Sequence, residues 1–398
     1  MSRSPFDALA AVVALALFPG PVIASTLPPV IDGHSDFAIH YMKNQWTLDG
    51  LDIEKGLPGQ ADVPRWREGG INGALATVGS DQPPGSKQHF PRVLVSLGWL
   101  DKLIQRHQGS LMAVRSASDF DHAANAGKIG LMAAIEGGDQ LDGSLEHLRS
   151  AYVRGVRSVG IAYDHHNNIG DGAMAMPGSK TFAAPANGGL SAFGRQVVKE
   201  INRLGMMVDL SHAGEQTALD AIRLSKAPVI FSHSAARGLA DTPRNLSDDV
   251  LREVARNGGV VMVPLVPYLI TTEHWRWWSA GEAKYAELEK QHSDEAAISR
   301  GMAEWDAANP QPNVDVGHVA DQIEYIARLV GREYVGIGTD FDGMGSFAIK
   351  GLENASATVK LLAELRARGW PTEDLHKLTR GNFLRVLRAV EAAAERKL

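Results

Sequence analysis

The chain has 398 residues, 44% of them hydrophobic and 22% charged, with a formal net charge of −6 and no cysteine. That length can bury a substantial core in one large domain or two ordinary ones, and the composition is that of a soluble globular protein. The slightly acidic balance, with no Lys/Arg cluster, argues against a nucleic-acid partner, and the lack of cysteine excludes disulfides and thiolate metal ligands.

Arg3 precedes an apolar run over 8–18, a breaker at Pro19-Gly20-Pro21, and the small-residue stretch Val22-Ile23-Ala24. This is the pattern of a secretory signal peptide over 1–24 cut after Ala24, with an apolar run too short to span a bilayer. The expectation is an exported protein, periplasmic or secreted, whose residues 25–398 form a single catalytic domain. Eight apolar runs follow: 30–31 leading to His34, then 71–78, 129–135, 156–163, 206–210, 228–231, 259–265 and 334–338. Continuous apolar character without alternation suits parallel strands covered on both faces. Segments with helical spacing separate them, at 92–107, 145–154, 191–204, 215–225, 248–257, 319–330 and 355–369. Regular strand–helix alternation predicts an α/β fold of the (β/α)8 TIM-barrel type, with a doubly wound sheet as the alternative. The stretch 268–314, with Trp275, Trp277 and Trp278, interrupts the seventh unit as a helical insertion near the rim, read as a lid or an oligomer contact. Two further helices, at 372–379 and 382–396, close the chain.

Metal ligands and proton carriers recur where these runs end. His34 and Asp36 are two apart on an extended segment, so both side chains leave the same face. Glu136 ends the third run; a buried carboxylate there is costly unless it is paired or bound to a cation, and its two oxygens can bridge two ions. His212 and His233 end consecutive runs one βα unit apart. Asp340 ends the eighth run, which in a closed barrel lies beside the first; Asp342, two residues on, is the alternative proton carrier. Each residue alone has a bland reading as a core histidine or a turn cap. Together they point to the C-terminal rim of one barrel and to a two-zinc hydrolase centre, because neutral imidazole and carboxylate suit Zn²⁺.

These motifs resemble the membrane (renal) dipeptidase family of zinc metallopeptidases, bacterial exported type. The resemblance rests on Asp32-Gly33-His34-Ser35-Asp36, Ile135-Glu136-Gly137, Asp209-Leu210-Ser211-His212, Phe231-Ser232-His233-Ser234, Arg244 to Asp249 and Gly338-Thr339-Asp340-Phe341-Asp342-Gly343. It extends to a tail through Gly381-Asn382-Phe383-Leu384-Arg385-Val386. It implies two Zn²⁺ per chain, one held by His34, Asp36 and Glu136, the other by Glu136, His212 and His233. It implies cleavage of free dipeptides, including those with a C-terminal D-residue, by a bridging hydroxide, with Asp340 moving the proton. It assigns Arg244 to the substrate carboxylate; the alternative for Arg244 is a surface ion pair with Asp248 or Asp249. Well-studied members carry a substrate-polarising His where this chain has Tyr163. Tyr163 takes that role, or His165 or His166 swings in. The family also suggests a homodimer. Two rivals share the same ligand set: another amidohydrolase acting on N-acyl amino acids, lactones or β-lactams, and a non-catalytic zinc-binding protein.

Overall fold

The computed structural model describes residues 27–43, 50, 52–79, 88–173, 186–291, 294–344 and 347–395; the expected leader over 1–24 lies outside them. Nine strands form one parallel sheet: β1 (Val30–Ser35), β2 (Ile71–Val78), β3 (Leu111–Ala113), β4 (Ile129–Ile135), β5 (Ser158–Gly160), β6 (Met207–Asp209), β7 (Ile230–Phe231), β8 (Val260–Val263) and β9 (Val335–Ile337). Eight run in the order β1-β2-β4-β5-β6-β7-β8-β9. The loop after β9 returns to β1 through Asp340 N–H to His34 O (3.0 Å) and Asp36 N–H to Phe341 O (2.9 Å). The result is the expected barrel, nearly closed. The ninth strand, β3, was not foreseen; it pairs with the first residues of β4, while β5 pairs with the last two.

The helices form where spacing and caps agree. Helix Asp248–Asn257 shows the pattern: Ser247 accepts from Val250 N–H, Asp248 and Asp249 sit in its first turn, Arg256 in its last, and Gly258 (φ 80°) ends it in the left-handed region. Val250, Leu251 and Val254 are its buried stripe, against the sheet. Inside the barrel, Ile31, Leu75, Met132, Met207, Ile230 and Met262 belong to one buried cluster, the packed interior expected of this architecture. Gly338 lets the end of β9 approach the end of β7, because a Cβ there would lie 1.7 Å from Ser232 O.

The insertion is present as three helices, Pro267–Ile270, Thr272–Gln291 and Glu295–Ala308. Its tryptophans pack on one another and on neighbouring rings. Trp278 is buried and stacks on Tyr268 and Trp275, while Trp277 packs on Trp305 and Phe347 and donates to Asn309 O. They pack the insertion onto itself and onto the rim, and Trp277 and Trp278 also border a cavity of about 420 Å³. At the other end, helix Thr372–His376 runs through a π turn (Lys377–Gly381) into helix Asn382–Ala393. No helix among the described residues is long and apolar enough to cross a membrane.

Candidate metal centre

Every strand of a parallel barrel points its C-terminal end at the same rim, so residues far apart in sequence meet there. β1 delivers His34 and Asp36, β4 Glu136, β5 Tyr163 and Asp164, β6 His212, β7 His233 and β9 Asp340. His212 (φ 67°) and Asp340 (φ 63°) leave their strands in the left-handed region. Such backbone is strained for a side chain, by on the order of 1–3 kcal/mol, and gathers at functional sites.

The three histidines converge on one carboxylate oxygen. Glu136 Oε1 lies 3.0 Å from His212 Nε2, 3.3 Å from His233 Nε2 and 3.4 Å from His34 Nε2. Asp36 Oδ1 is 3.3 Å and Asp340 Oδ1 3.9 Å from the same His34 nitrogen. No arginine neutralises Glu136 among the described residues. The outer nitrogens have their own partners: His212 Nδ1 lies 2.6 Å from Asp164 Oδ1 and His233 Nδ1 2.9 Å from Ser232 Oγ. Both rings thus aim Nε2 inward, as metal-binding imidazoles do.

The charges are ordered by burial and by neighbours. Burial disfavours a charge on His34, but Glu136 and Asp36 outweigh it and hold its pKa well above the ordinary value. Burial and Arg244 likewise oppose a charge on His212; Asp164 and Glu136 prevail and raise it. His233, buried beside His34 and Arg244, is pushed well below. His212 Nε2 and His233 Nε2 lie 2.8 Å apart. Burial, with Asp36 and Glu136 nearby, raises Asp340 to about 7, close to the pKa that suits a proton carrier at neutral pH.

These residues fit divalent cations by donor type. His34, Glu136 and His233 offer ligand atoms all within 4.8 Å of one another, and so do His34, Asp36 and Asp340. Imidazole and carboxylate without thiolate is a set that binds zinc and its neighbours. Tetrahedral zinc with Zn–N near 2.05 Å separates two nitrogens by about 3.3 Å. The 2.8 Å between His212 and His233 has to widen by only a few tenths of an ångström.

Tyr163, Asp164, Arg244, Tyr268 and Leu269 wall the remaining space. Tyr163 stacks on His212, ring centroids 4.5 Å apart. Arg244 is 3% exposed, which removes the surface ion-pair alternative. It donates to Ser234 Oγ (2.7 Å) and His233 O (3.0 Å), two of its five N–H bonds, and borders the cavity. Asp342 is engaged elsewhere: Gln60 N–H donates to its Oδ1 (2.6 Å), and its own N–H donates to Gln60 Oε1. Asp340 alone of the two faces the histidines.

His165 and His166 do not join this group. His165 Nε2 is 2.9 Å from Asp139 Oδ2, and His166 Nδ1 accepts from Gly172 N–H and lies 3.3 Å from Asp171. Those carboxylates turn both rings toward a second cavity of about 900 Å³ that also borders His89 and His147. Sequence reasoning missed Asp164 and Tyr268. Asp164 follows the apolar run 156–163 as the other site residues follow theirs, which was the available signal. Tyr268 lies in the insertion, where no periodicity marks it.

The comparisons with known proteins follow the same path. The model of the membrane dipeptidase family (peptidase family M19) matches residues 23–398. The chain belongs to this family. It is 32% identical to Dipeptidase 3 of Mus musculus over 93% of this chain, and spans 66% of that protein's length. It is also 32% identical to Dipeptidase aclJ of Aspergillus oryzae, over 93% of this chain and 80% of the relative. The fold matches the crystal structure of the probable dipeptidase PvdM from Pseudomonas aeruginosa with a TM-score of 0.79, at 24% identity, over 94% of this chain and 97% of that one.

Proposed function

We propose that this protein is a zinc-dependent dipeptidase hydrolysing free dipeptides, including those with a C-terminal D-residue. The observation that carries the reading is the meeting of three imidazole nitrogens within 3.4 Å of one Glu136 oxygen, with Asp36 and Asp340 on the same side. Dipeptidase names among the relatives support it.

His34, Asp36 and Glu136 would hold one Zn²⁺, and Glu136, His212 and His233 the other. When bound, such a pair acidifies water enough for attack at neutral pH and polarises a carbonyl. The chain's own residues supply the rest. Arg244, braced by Ser234 and the His233 carbonyl, grips the substrate's free carboxylate with the planar fork that suits it. That grip favours dipeptides over long chains by limiting what lies beyond the scissile bond. Tyr163 offers a phenolic O–H to the scissile carbonyl oxygen, in place of the family's histidine. Asp340 takes a proton on its carboxylate as water attacks and returns it to the departing amine. Tyr268 and Leu269, from the insertion, shield the reacting atoms from solvent. The leader-like residues 1–24 support export, with the enzyme acting outside the cytoplasm.

Removing metal with a chelator should abolish cleavage of L-Ala-D-Ala, and added Zn²⁺ should restore it. Full turnover by rigorously metal-free protein would end the reading.

A further inference from the structure

We propose that Asp164 is a positioning residue of the metal centre, holding His212 so that its Nε2 meets the cation; this rests on the metal-dependent reading above. Asp164 stands four residues past the end of β5, and its Oδ1 is 2.6 Å from His212 Nδ1. The preceding residue, Tyr163, stacks on the same imidazole at 4.5 Å and 25°. One strand end therefore grips the ring at its edge and on its face. The need for a grip is local: His212 leaves β6 with φ 67°, so the regular strand frame no longer aims its side chain.

The neighbouring imidazole is treated differently. His233 Nδ1 meets only the neutral Ser232 hydroxyl, at 2.9 Å. An Nδ1–H donated to a carboxylate fixes the tautomer with its lone pair on Nε2 and strengthens that nitrogen as a donor. A hydroxyl does the first without the full electrostatic gain. His212 and His233, the two imidazoles that share the second ion, are thus unequal, with His212 the stronger donor because of Asp164. Loss of such an outer partner weakens metal affinity about 10–100-fold.

The test titrates metal-free wild type, Asp164→Ala, Asp164→Asn and His212→Ala with Zn²⁺ against a chromophoric chelator. Wild type should bind two ions. Asp164→Ala should weaken one of them about 10–100-fold and leave the other within about twofold. Asp164→Asn should fall between, because the amide oxygen still accepts Nδ1–H but carries no charge. The double variant Asp164→Ala/His212→Ala should bind no more weakly than His212→Ala, since a residue acting through His212 has nothing left to act on. Equal weakening of both ions, or a double variant weaker than His212→Ala, would overturn the assignment. If Asp164→Ala fails to fold, Asp164→Asn decides, and wild-type affinity there overturns it. Wild type that binds no zinc would defeat the metal reading itself, an outcome seen before any variant is compared.

Discussion

At the β1–β9 seam, Asp32 is fully buried and surrounded by donors: Thr339 N–H (2.7 Å) and His34 N–H (3.2 Å) to Oδ1, Thr339 Oγ1–H (2.6 Å) to Oδ2. Asp209 is used the same way, its Oδ1 accepting from Ser211 and Ser232 N–H, both at 3.0 Å. Four residues beyond Asp32, Asp36 faces an imidazole and lies close to Glu136 and Asp340, which are also acids. Both groups are carboxylates at the rim of one barrel, Asp32 and Asp209 buried, Asp36, Glu136 and Asp340 partly so. Those of the seam are satisfied by neutral backbone and hydroxyl donors and tie strands together. Those of the centre crowd like charges around shared nitrogens, an arrangement that favours a cation. Burial alone does not mark a functional carboxylate; the groups that face it do.

Exchanging acids in the two regions should therefore break different things. The largest effect should come from Asp340→Asn, which removes the proposed proton carrier without touching the fold. We expect kcat to fall roughly 10³-fold, about 4 kcal/mol, with zinc content unchanged; metal analysis beside steady-state kinetics checks both. Asp32→Ala should do the reverse. It leaves Thr339 N–H and His34 N–H without their acceptor and should lower stability by roughly 2–5 kcal/mol in denaturant unfolding. Wild-type stability in that variant would erase the distinction. Arg244→Ala should raise KM about 10–100-fold for dipeptides with a free carboxylate and far less for C-terminal amides. An equal rise for both substrate types would remove its assigned role.

The smallest effect lies away from the rim and sharpens the contrast. Glu200 pairs with Arg203 of its own helix and reaches the neighbouring outer helix through Arg149, and those guanidiniums hold its pKa at about 2. A depressed carboxylate stabilises the fold fully above its ordinary 4.5 and loses that contribution as pH falls through about 2. Because its arginines are partly exposed, Glu200→Gln should cost only on the order of 1–2 kcal/mol near neutrality. The variant should also flatten the acid limb of a stability–pH curve, with turnover unchanged.

Most of the barrel was legible because its strands are apolar on both faces. The stretches 129–135 and 71–78 coincide with β4 and β2. The residues that meet at the rim were legible because each ends such a run. β3 was not, being three residues long with one exposed. Helix Ala117–Asn125 carried a signal that was passed over, Ser116 accepting from Asp119 N–H at its start. The choice between Asp340 and Asp342 turned on Gln60, 282 residues away from Asp342 in sequence. The positions of His165 and His166 were not legible for the same reason, since Asp139 and Asp171 meet them only in the folded chain.

Anomalous diffraction at the zinc edge from crystals of the zinc-loaded protein tests the central claim most directly. Two peaks should flank Glu136, one beside His34 and Asp36, the other beside His212 and His233. A rim without peaks, or metal bound where Glu136 does not reach, would contradict it.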